Sequence, residues 1–172
     1  MEQSIASLSH EQAQRALMIF YDLLPHDFWE GGKKPSAVKL KYTAEKLRDD
    51  ATEDVRPVAD MLLAEGREEE KGEAAKAVLN IFYEQESLGG FVEQATQQAQ
   101  QPHMAPLPLI IGAVIVILAA LPKKIDFKKK QYEGGQLRDA AALVKEFGQF
   151  VAKLPSEVWK GIIKGATGPG GA

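Results

Sequence analysis

The chain has 172 residues, 45% of them hydrophobic, and a formal net charge of −3, a composition that fits a globular domain with appendages and excludes wholesale disorder. The absence of cysteine removes disulfides, thiolate metal sites and a cysteine nucleophile from consideration. The charge is uneven: residues 1–105 carry 11 Lys or Arg against 19 Asp or Glu, residues 123–172 carry 10 against 5, and no Asp, Glu, Lys or Arg lies between Glu93 and Lys123.

The amino terminus, MEQSIASLSHEQ, has neither the basic nor the apolar stretch of a secretory signal, so synthesis in the cytoplasm is the expectation. Ser9 followed by Gln12 forms a capping-box pattern, and Ala13, Ala16, Leu17, Phe20, Leu23 and Leu24 then recur at helical spacing until Pro25 stops the helix. The loop PHDFWEGGKKPS follows. Ser36 caps a second predicted helix with Val38, Leu40, Ala44 and Leu47 inward. Pro57 is tolerated only in a first turn, so a third helix starts near Val55 with Asp54 as its cap; Val58, Met61, Leu62 and Leu63 form its apolar face and Gly66 ends it. A fourth spans residues 68–86 with Ala74, Ala75, Val78, Ile81 and Phe82 in a stripe. Gly89 and Gly90 break that pattern before a short element with Phe91, Val92 and Ala95. Residues 1–100 thus read as an acidic bundle of four to five short helices. The stretch QATQQAQQPHM reads as a linker or a frayed helix end.

The most informative segment is APLPLIIGAVIVILAALP. Residues 107–121 are fifteen positions without a polar side chain. As a helix they would measure roughly 22 Å, short of a ~30 Å hydrocarbon core; extending the count to residues 104–122 gives roughly 28 Å. The membrane reading makes Leu107, Leu109, Ile110, Ile111, Val114, Ile115, Val116, Ile117, Leu118 and Leu121 the inserting residues. Lys123, Lys124, Lys128, Lys129 and Lys130 would then meet anionic headgroups and, by the positive-inside rule, hold the tail on the cytoplasmic side. That orientation requires the amino-terminal domain to cross a membrane without a signal, a conflict that interfacial insertion avoids. The competing reading is a buried strand or core helix, since a β-branched run bounded by prolines also suits an interior position.

In the tail, KKIDFKKKQYEGG offers Ile125, Phe127 and Tyr132 for a short strand or a lipid interface. Residues 136–154 form an amphipathic helix with Leu137, Ala141, Val144, Phe147, Val151 and Leu154 on one face, ended by Pro155. Trp159, with Lys160 and Lys164, suits a headgroup-level anchor, although the mixed-sign face of the preceding helix (Arg138, Asp139, Lys145 and Glu146) favours docking on the protein or on a second copy. Residues 165–172 are expected to be disordered. The organisation expected is therefore a mainly α chain: bundle 1–100, linker and apolar membrane-type (transmembrane) helix 101–122, basic tail with amphipathic helix 123–164, and a free end.

Catalytic signals are absent from this reading. His10, His26 and His103 lack ligand spacing; His26 with Asp27 and Glu30 is the nearest approach to a metal set. The acidic runs at Asp49, Asp50, Glu53, Asp54 and at Glu68, Glu69, Glu70 read as solvated helix ends. No phosphate loop, nucleophile elbow or dinucleotide fingerprint occurs, and no cofactor, small-molecule substrate or nucleic-acid partner is expected. Tyr21, His26, Phe28 and Trp29 form an aromatic loop that either binds a partner or closes the core, the second being the commoner use.

The amino-terminal layout, with LSHEQAQRALMIFYDLLP leading four further short helices, resembles the small adaptor domains of death-fold type found in bacterial defence proteins. The resemblance is one of layout rather than motif, and it implies an adaptor or a membrane-disrupting effector. Two functions follow as expectations. One is a non-enzymatic, membrane-associated helical interaction protein with lipid and a protein or a second copy as partners. The other is a soluble structural subunit of a larger assembly with residues 107–121 as a buried core element.

Overall fold

The computed structural model describes residues 2–102, 107–108, 110–121, 124–126, 131–133 and 140–154. It is mainly helical, with α1 (Glu2–Ala6), α2 (His10–Leu23), α3 (Ala37–Asp50), α4 (Arg56–Leu63), α5 (Glu68–Tyr83), α6 (Gly89–Ala99), α7 (Ile111–Ala120) and α8 (Ala140–Lys153). Two three-residue strands, β1 (Lys124–Asp126) and β2 (Gln131–Glu133), pair antiparallel between α7 and α8, with Ile125 opposite Tyr132.

Local chemistry sets most boundaries. The Ser9 side chain accepts from Gln12 N–H while the Gln12 side chain accepts from Ser9 N–H, a complete capping box at the start of α2. Ser36 accepts from Lys39 N–H at the start of α3. Pro57 sits in the first turn of α4, as its missing N–H requires. The cap position there is Val55 rather than Asp54, whose carboxylate instead accepts from the Thr52 hydroxyl. Gly89 and Gly90 open α6 instead of breaking the chain, and the Gln-rich stretch stays helical as far as Ala99. Residues 136–139, the expected start of the last helix, and residues 155–172 lie outside the described residues.

α7 is the hub. It packs on two groups of helices, α2 with α5 and α3 with α4 and α8. α1 joins the first group against α5, and α6 joins it against α2 and α5; α3 touches α4 and α8 in the second. The two groups meet chiefly through α7. One buried cluster therefore runs from Ile5 through Phe20, Leu40, Leu62 and Phe82 to Val114–Leu118 and on to Phe147. The tilted Phe20–Phe82 ring pair, with centroids 4.9 Å apart, locks α2 to α5.

Two side-chain directions differ from the expected stripes. On α3, Val38 points to solvent while Leu40, Ala44 and Leu47 point inward. On α8, Leu143 and Phe150 are buried alongside Phe147, Val151 and Leu154, while Ala141 is exposed and Val144 half-buried. The buried arc of α8 is thus rotated toward its bulkier residues, which exclude more water than an alanine.

Glycine fixes how closely α7 and α4 approach. A Cβ on Gly112 would overlap the Leu62 carbonyl oxygen and lie 3.4 Å from Leu63 Cα. Both are backbone atoms and cannot yield as a flexible side chain would. Gly112→Ala is expected to cost about 1–3 kcal/mol of stability through this overpacking. Gly90→Ala, where a Cβ meets nothing within 4 Å, should be neutral or stabilising by up to ~1 kcal/mol. Urea unfolding midpoints of the two variants check the pair; equal midpoints would show that the α4–α7 contact is not tight.

Candidate functional site

The residues expected to enter lipid are placed in the interior. Ile111 through Leu121 are all buried, with Val114, Ile115, Val116, Ile117 and Leu118 fully inaccessible. Ile110 and Leu107 are half-buried, and Leu109 lies outside the described residues. A helix with no polar face has to be covered all round, and here the chain's own helices supply the cover.

The expected transmembrane helix is corrected in length. α7 has ten residues, so it measures about 15 Å against a ~30 Å hydrocarbon core. Among the described residues no helix is long and apolar enough to cross a membrane. The prolines explain the shortening. Ile111 N–H bonds back to the Pro108 carbonyl, which starts the first turn, and Leu121 before Pro122 turns extended at φ −70°, ψ 135°. A residue preceding proline is driven out of the helical region by the pyrrolidine ring.

Of the expected headgroup residues, Lys123, Lys128, Lys129, Lys130 and Trp159 lie outside the described residues. Lys124 opens β1, level with Glu133 of β2. β2 in turn lies against the turn formed by residues 26–28.

The aromatic loop closes the core, as its composition suggests. Tyr21, Phe28 and Trp29 are buried while His26 is exposed. Phe28 meets Trp29 edge-on at 5.0 Å, and Tyr21 meets Trp29 edge-on at 5.9 Å. The Tyr21 hydroxyl donates to the Pro35 carbonyl at 3.1 Å, and Lys34 Nζ donates to the Tyr21 carbonyl while lying over its ring.

Polar side chains converge where α2 faces α5. His10 Nε2 lies 3.0 Å from Glu73 Oε1, and Lys76 lies 3.7 Å from the same oxygen. Gln14, fully buried, donates to the His10 carbonyl and to Glu68 Oε2. Lys71 donates to the Ala64 carbonyl at 2.6 Å, satisfying the end of α4, and burial pushes its ammonium below the ordinary lysine range against the opposing pull of Glu68 and Glu65. These contacts tie helix ends together. Among the described residues no group of three or more His, Asp or Glu is gathered to hold a metal ion.

The remaining feature is the outward face of α3. Val38 is 80% exposed and Tyr42 65%, the large hydrophobics most open to solvent among the described residues. They are one helical turn apart on the same face, with Asp49 on that stripe two turns further on. Lys39, Lys41, Lys46, Asp49 and Asp50 around them are exposed. The sequence held the signal for this. At 100° per residue Val38 lies opposite the mean direction of Leu40, Ala44 and Leu47, so it cannot share their face.

No family model, curated protein or solved structure matches the chain.

The Tyr21 hydroxyl gives a pH prediction. Burial, with the nearby Asp22 carboxylate, pushes Tyr21 up from 10.0 to about 12. Its folded value is raised, so this contribution to stability is complete below pH 10 and is lost as pH climbs to about 12. Tyr21→Phe should lose about 1 kcal/mol at pH 7 with the Pro35 bond. The gap to the wild type should narrow above pH 10, read as urea midpoints from pH 8 to 12. A gap independent of pH would mean that the phenol is not held neutral.

Proposed function

We propose that the chain is a non-enzymatic helical interaction protein, a structural subunit of a larger assembly, with residues 107–121 as its own buried core element. The observation that carries this reading is the complete cover of α7 by α2, α3, α4, α5 and α8. With the most apolar helix enclosed, Val38 and Tyr42 on α3 are the large hydrophobics offered to water among the described residues, and aromatic side chains flanked by charge are common anchors in protein–protein contacts. The resemblance in layout to small adaptor domains accords with an interaction role.

A membrane-associated effector, in which residues 107–121 leave the core for lipid, is the second reading. It is favoured by one property of α7: no face of it carries a polar side chain. Lysis without detergent followed by membrane sedimentation separates the two. The structural reading predicts a monodisperse species in the supernatant; recovery only from the membrane pellet, with detergent required for release, overturns it. Ile115→Lys sharpens the test. In a protein core it places a charge at a fully buried position, and the variant should unfold or aggregate with loss of the thermal transition. A lipid-seated helix predicts instead a folded variant that no longer partitions to vesicles.

A further inference from the structure

We draw no further inference here: the strongest candidate, the outward face of α3 with Val38 and Tyr42 exposed, belongs to the surface already described, and nothing in the structure shows what covers it.

Discussion

Everything in this fold depends on enclosing one helix that has nothing polar to show. α7 contributes five consecutive, fully buried branched side chains from Val114 to Leu118. At about 1.5–3 kcal/mol for each such side chain removed from water, their burial amounts to on the order of 10 kcal/mol, comparable to the net stability of a whole domain. The helices around it fall into two groups, α1, α2, α5 and α6 in one and α3, α4 and α8 in the other. Besides α7, the Lys71 ammonium on the Ala64 carbonyl ties the two groups where α4 ends and α5 begins. α7 is therefore both the most apolar element and the joint that makes one core of two sets of helices.

Close approach and polar seams refine that arrangement. Gly112 lets α7 reach the α4 backbone, and Gly72 lets α5 approach α2, where a Cβ would stand 2.6 Å from His10 Cα. Beside Gly72 the chain places Lys71, whose ammonium reaches the Ala64 carbonyl, and Glu73, which meets His10. Small residues bring the backbones together, and their long neighbours satisfy the groups left at helix ends. The link between α4 and α5 carries the matching strain: Gly66 at φ 80° is followed by Arg67 at φ 58°, a left-handed conformation uncommon for a side chain with a Cβ.

Much of the helical content was legible because its signals are local. The Ser9–Gln12 box, Pro25 as a stop, Ser36 as a cap and Pro57 in a first turn each act within a few residues, and the helices begin or end where those residues dictate. The burial of Phe28 and Trp29 followed from composition in the same way. What the sequence left open was the destination of residues 107–121. Hydrocarbon tails and leucine side chains are equally apolar, so periodicity and hydropathy cannot tell a lipid neighbour from a protein one; only the tertiary arrangement can. The helical length was misjudged because a count of apolar residues ignores Pro108 and Pro122, which limit α7 to ten residues. At Val38 residue type and angular position disagree: a valine suits the core, but its place on α3 opposite Leu40, Ala44 and Leu47 turns it to solvent.

The position of α7 also constrains what any membrane action by this protein would involve. A ten-residue helix transferred alone into hydrocarbon would leave its terminal carbonyl and N–H groups at membrane depth without partners, an expensive state in the absence of water. Its departure would also uncover the inward faces of α2, α3, α4, α5 and α8 at once. Lipid can replace the neighbours of α7, but it cannot reach those faces unless their helices move to the bilayer as well. Insertion would thus be a rearrangement of the whole domain, opposed by the same burial that holds the two groups of helices together. Docking through α3 asks for no such change. Its outward face is already solvated, its backbone is fixed by the Ser36 cap and by Leu40, Ala44 and Leu47 in the core, and a partner meets it without opening anything.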